Sequence, residues 1–138
     1  MTSKFLALTI VTSSVVLIAT TASPSTLPKN PPAGPAITGV ELHSPSTQLV
    51  QPCPVELVFH GEITTTRPVS VTYTWVDSRG RTWPEHHRRF SLAGVNAVTH
   101  KWKTGRPGKT VDAWVQLKII SPENRLSGKA PVHFTCAK

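Results

Sequence analysis

The feature that most constrains this chain is a side-chain alternation of period two that recurs in short runs from Val55 to the end. In "VDAWVQLKII", Val115, Leu117 and Ile119 share one face, while Trp114, Gln116 and Lys118 share the other. Successive side chains of a strand point to opposite faces, so such a run is a half-buried strand. The same pattern sets Val55, Leu57, Phe59 and Ile63 against Glu56, His60 and Glu62. In "VSVTYTWV" it sets Val71, Tyr73 and Trp75 against Thr72 and Thr74. "AVTHKW" places Val98 and Trp102 together, and "APVHFTC" aligns Val132, Phe134 and Cys136. "RTWPEHHRRF" is a poorer strand, because Pro84 restricts it to an edge or a bulge. With "ITGVEL" in front, about seven short strands are separated by turn residues, and no window carries a helical period. The expectation is all-β: a seven-stranded antiparallel immunoglobulin-like β-sandwich.

Two cysteines, Cys53 and Cys136, lie 83 positions apart (136 − 53). If seven strands simply alternate in direction, the second runs away from Cys53 and the seventh ends at Cys136, so both sulfurs reach the same pole. A disulfide there ties one sheet to the other. In the chain-entropy view, closing so long a loop is worth about 4 to 5 kcal/mol, against a net stability of roughly 5 to 15 kcal/mol for a small domain. Such a bond needs an oxidising compartment. Two cysteines without spaced partners make no zinc motif.

The N-terminus supplies that compartment. Lys4, the apolar run Phe5 to Ala19 and the small residues Thr20, Thr21 and Ala22 read as an export signal over residues 1–22, which predicts a secreted, extracellular or periplasmic protein. The alternative is a retained anchor, since Phe5 to Ala22 approaches the roughly 18 residues that cross a bilayer. Thr9, Thr12, Ser13 and Ser14 weigh against it. No transmembrane segment is expected after signal cleavage. Residues 23–36 hold five prolines (Pro24, Pro28, Pro31, Pro32, Pro35) and read as an extended linker. The remaining residues 37–138 have the size of one sandwich domain.

The ordered set of short motifs resembles a group of uncharacterised bacterial secreted immunoglobulin-like domains. The matching residues are Cys53-Pro54, Phe59-x-Gly61-x-Ile63, "VTYTW" at 71–75 leading to Gly80, Phe90, Gly94 and the Val98…Trp102 pair. Further on come Trp114…Leu117…Pro122, Ser127 and Phe134-Thr135-Cys136. They span Ile37 to Cys136. The resemblance implies the sandwich and the bridge, and carries neither a catalytic residue nor a ligand. The "EHHRR" segment at 85–89 is not a feature of that group.

Enzyme chemistry finds little support. Both cysteines belong to the bridge, and no Ser occupies a strained glycine-flanked turn of the kind that activates a nucleophile. The seven acidic residues form no facing pair for glycoside hydrolysis. His86 and His87 are adjacent, so on a strand they point to opposite faces. His60 and Glu62 share an outer face and would hold a metal only with a third ligand from a neighbouring strand. His100, between Val98 and Trp102, is expected to be partly buried and hydrogen-bonded, and His133 faces outward. Trp75 and Trp102 are read as core. Trp114 is read as an outward ring, with two readings open: a cover over a neighbouring strand's side chains, which is favoured, or a platform for a sugar or a partner. No catalytic residue, metal ligand or cofactor is assigned.

Charge gives the strongest functional hint. Formal net charge is +8, or +7 without Lys4, which suits anionic surfaces such as polysaccharide, lipid headgroups or an acidic protein face. Solubility is the bland alternative. By the alternation that brings the cysteines together, the "DSRGR" and "KTGRPGK" turns share their pole. Arg79, Arg81, Lys103, Arg106 and Lys109 would gather there, with Trp83 as an exposed ring. Arginine forks suit phosphate and carboxylate. Sequence-specific nucleic-acid reading is not expected, because neither a recognition helix nor a zinc module is present. The function expected is thus non-enzymatic binding through a basic pole. The rivals are a purely structural envelope module and a metal-binding or hydrolytic protein using surface histidines. A protease inhibitor acting through "TGRPGK" has no matching signature.

Overall fold

The computed structural model describes residues 34–138. The expected export signal and most of the proline-rich linker lie outside the described residues. The described part is all-β, with nine strands: β1 (Ile37–His43), β2 (Val50–Gln51), β3 (Val55–Thr65), β4 (Val69–Asp77), β5 (His86–Phe90), β6 (Gly94–Thr104), β7 (Thr110–Ser121), β8 (Arg125–Leu126) and β9 (Ala130–Cys136). One sheet has the order β1-β3-β6. The other has the order β2-β9-β7-β4-β5, with β8 beside β7.

Seven of these strands are those the alternation marks. The two extra ones, β2 and β8, are two residues long, too short for any period to register. They also correct the expectation of a purely antiparallel sandwich. Val50 and Gln51 pair parallel with Thr135 and Cys136, so the larger sheet is mixed. The cause is the bridge: Gln51 lies two residues before Cys53, and Cys53 is bonded to Cys136. The chain entering the bond is thereby laid alongside the strand that ends in it.

With the two short pairs set aside and the long strands lettered A to G, the sheets read A-B-E and G-F-C plus the fourth strand. Immunoglobulin constant domains place that fourth strand beside E. Here β5 leaves the smaller sheet and pairs with β4, Val69 opposite Phe90 through Tyr73 opposite His86. The arrangement is therefore an immunoglobulin-like sandwich with one strand on the other sheet's edge. Four of the five β5 side chains are exposed and only Phe90 is buried, as expected for a strand that follows Pro84 at an edge.

The core lies between the sheets and takes the inward residues of each alternation: Leu57, Phe59 and Ile63 from β3, Val71, Tyr73 and Trp75 from β4, Val98 and Trp102 from β6, Val115, Leu117 and Ile119 from β7, and Val132 and Phe134 from β9. Gly61 also points inward, opposite Val98. A Cβ there would stand 3.0 Å from both Leu117 and Val98 and 3.3 Å from Trp75, so the bare backbone makes room for the buried indole. Trp114 faces outward and half-buried, with the Lys129 ammonium 4.5 Å from its ring centroid. Its outward direction is the one its parity implies.

The packed chain begins before Ile37. The Ala36 amide donates to Glu123 Oε1 (2.6 Å), the Thr66 amide to the Ala36 carbonyl (2.9 Å), and the Thr66 hydroxyl to the Pro35 carbonyl (3.0 Å). The end of the expected tether is thus stitched to the turn after β3 and to the loop after β7.

Candidate functional site

Cys53 and Cys136 are bonded, and the bridge joins the entry of β3 in one sheet to the end of β9 in the other. Around it lies the basic pole. "TGRPGK" leaves β6 at Thr104 and enters β7 at Thr110, crossing directly over the sulfurs. A Cβ on Gly105 (φ +99°) would stand 2.7 Å from Cys53 Sγ and 2.8 Å from Cys136 Sγ, so only glycine lets the loop rest on the bridge. Arg106 to Lys109 then form a turn closed by the Lys109 amide donating to the Arg106 carbonyl (3.0 Å). Pro107 and Gly108 (φ +71°) hold its central positions, the residues that a type II turn demands. The Gly108 amide donates to the Cys136 carbonyl (3.1 Å), and the Cys136 amide to the Lys109 carbonyl (2.9 Å). The loop is tied to β9 by backbone bonds and seated on the disulfide.

The "DSRGR" turn is organised by Asp77, whose side chain is buried. Its Oδ1 accepts from the Arg79 and Arg81 amides (both 2.9 Å), and its Oδ2 lies 3.3 Å from Arg81 Nε. Gly80 (φ +78°) donates its amide to the Asp77 carbonyl (3.1 Å). This geometry divides the two arginines. Arg79 projects toward the β6–β7 loop, and Arg81 folds back, its guanidinium carbon 4.2 Å from the Trp83 centroid and 5.4 Å from that of Trp102.

The result is an open groove of about 440 Å³ lined by Arg79, Thr104, Gly105, Arg106, Lys109, Thr110 and Val111. Of the six pole residues that the alternation gathers, it unites Arg79, Arg106 and Lys109. None of the three makes an ion pair among the described residues. Arg81 is neutralised by Asp77. Lys103 stands outward on β6, opposite Glu56 in the β3–β6 register. Trp83 is half-buried and packs edge-on against His100 (4.6 Å) and Trp102 (5.9 Å), with the Arg81 guanidinium over its ring. It seals the gap between the sheets beside β4 and offers no free platform. Thr104 and Thr110 add polar lining that no motif in the sequence marks.

His100 departs from its expected role. It is 8% exposed, stacked on Trp75 (5.1 Å between centroids, planes 19° apart), and its Nε2 has no hydrogen-bond partner among the described residues. Burial lowers its pKa from 6.5 to about 4, helped by the nearby His86 and Arg81. The ring is therefore neutral and serves as a flat aromatic spacer. His86 stacks on Tyr73 (5.2 Å), and His87 Nδ1 hydrogen-bonds Thr72 Oγ1 across to β4 (2.9 Å), so the two adjacent histidines have separate environments. His133 faces outward, 3.8 Å from Asp112.

No family model matches the chain, and no curated protein matches it. Among solved structures it is similar to the CARDB domain of the PF1109 protein from Pyrococcus furiosus, a domain in complex with di-metal ions. The identity is 10% and the TM-score 0.48, over 71% of this chain and 90% of that one. What defines the present fold is the pairing of its own strands and the bridge between its sheets. No helix among the described residues is long and apolar enough to cross a membrane.

Proposed function

We propose that this protein is a non-enzymatic binding module, acting outside the cytoplasm, that engages an anionic polymer or an acidic partner surface through the groove beside its disulfide. The observation that carries this reading is the convergence of Arg79, Arg106 and Lys109, from two separate turns, on one groove whose lining contains no carboxylate. Unpaired cations that face the same depression repel one another and are relieved by a polyanion. Arginine forks give directional bonds to phosphate, sulfate or carboxylate oxygens. The two turns are held by the buried Asp77 carboxylate and by the bridge, so little ordering is required on binding.

The test is retention of the purified, oxidised protein on immobilised dextran sulfate and on vesicles containing phosphatidylglycerol, at graded salt. Retention should fall steeply as salt screens the contacts. Arg79→Gln/Arg106→Gln/Lys109→Gln should weaken binding by about threefold to a hundredfold, at roughly 0.2 to 1 kcal/mol for each of three exposed contacts. Arg88→Gln/Arg89→Gln, on β5, should leave most of it. Equal losses in the two variants would reduce the effect to net charge. Absence of retention on either support would favour a purely structural module.

A further inference from the structure

We infer that the outer face of the smaller sheet carries a divalent-cation site of the zinc class, built by Glu41 and His43 of β1 with Glu62 of β3. This site is separate from the basic groove and stands or falls independently of it. In the β1–β3 register Glu41 is directly opposite Glu62, and His43 directly opposite His60. Residues two apart on a strand share a face, so the four side chains form a square on one surface. The donor atoms of Glu41, His43 and Glu62 all lie within 4.8 Å of one another. Zinc binds imidazole nitrogen and carboxylate oxygen at about 2.0 to 2.2 Å, which separates donors by roughly 3 to 4 Å. Rotations of exposed side chains close that difference. His60, opposite His43, is outside that set and would join it only through a side-chain rotation.

Two further facts point to a cation. Like charges directly opposite on adjacent strands are destabilising, yet this chain, with 15 Lys and Arg against 7 Asp and Glu, sets two of its few carboxylates face to face. Neither carboxylate has an ion-pair partner among the described residues. The β6 residues paired opposite Glu62 and His60 are Ala97 and Thr99, neither of them cationic. A mixed set of imidazole and carboxylate favours zinc-class ions over calcium or magnesium, which prefer oxygen alone. Glu41 and His43 are exposed and Glu62 is half-buried, so coordination positions remain open to solvent. A bound ion would clamp the edge strand β1 onto β3.

The experiment is titration of the full, tag-free, oxidised protein with Zn²⁺ by calorimetry, with thermal melting in parallel. One equivalent should bind, and the melting temperature should rise with Zn²⁺. Glu41→Gln/Glu62→Gln and His43→Asn should each weaken binding by more than about tenfold, as expected when donors are lost from a small set. The carboxamide pair should leave the metal-free melting temperature unchanged or raised, which shows an intact fold. His86→Asn/His87→Asn should bind normally. Affinity should fall in acid, because protons compete for the donors. Failure to bind one equivalent below about millimolar Zn²⁺, or binding that survives Glu41→Gln/Glu62→Gln, overturns the site.

Discussion

Gly105→Ala is a one-methyl change whose consequences follow from two separate terms. The first is local: φ is +99° at this position, where an L side chain costs roughly 1 to 2 kcal/mol. The second is tertiary. The added Cβ would fall 2.7 and 2.8 Å from the two sulfurs of the bridge, about 1 Å inside ordinary contact, which lies near 3.5 to 4.0 Å for carbon pairs. The loop cannot easily lift away, because Gly108 and Lys109 are bonded to Cys136 through the backbone. Overpacking of this kind costs about 1 to 3 kcal/mol. The expected loss is therefore about 2 to 5 kcal/mol by urea denaturation under non-reducing conditions. A double-mutant cycle separates the terms. In a Cys53→Ala/Cys136→Ala background the sulfurs are gone, and Gly105→Ala should cost the backbone term and the milder 3.2 Å approach to the Cβ at position 53, leaving a coupling of about 1 to 3 kcal/mol. Removing the bridge alone should cost about 4 to 5 kcal/mol, so the cycle is best run in a stabilising osmolyte. Identical costs in the two backgrounds, or a neutral Gly105→Ala in the oxidised protein, would refute the seating of the loop on the bridge.

Other outcomes follow from the same geometry. His100 has its folded pKa depressed to about 4 from 6.5, so folding favours the neutral ring. Its contribution is fully present above pH 6.5 and is lost as pH falls through about 4, by up to about 3 kcal/mol at about 1.4 kcal/mol per unit. His100→Phe should flatten that part of a stability-versus-pH curve, and an unchanged slope would contradict the burial of the ring. Gly61→Ala should destabilise by about 1 to 3 kcal/mol by denaturant melting, since Leu117, Val98 and Trp75 must all give way. Asp77→Ala removes the acceptor of two amides and the partner of Arg81. It should cost about 1 to 3 kcal/mol and also weaken polyanion retention, because Arg79 loses its fixed projection.

The sequence by itself determined the seven long strands, which way their alternating side chains point and at which pole the cysteines meet. Trp75, Phe59 and Leu117 are buried and Lys118 is exposed, as parity requires, because a period of two is a local property that pairing does not alter. The type II turn is equally local, written in Pro107 and Gly108. Tertiary structure decided what parity cannot reach. It laid β2 parallel to β9, moved β5 to the other sheet, folded Arg81 onto Trp83 while leaving Arg79 in the groove, and buried His100 without a partner. It also set Glu41 opposite Glu62. Each of these depends on which distant segments pair and in what register, and therefore on the closure of long loops, which neighbouring residues do not encode. The alternation tells a side chain which way to point, and only the assembled sheets supply what it meets there.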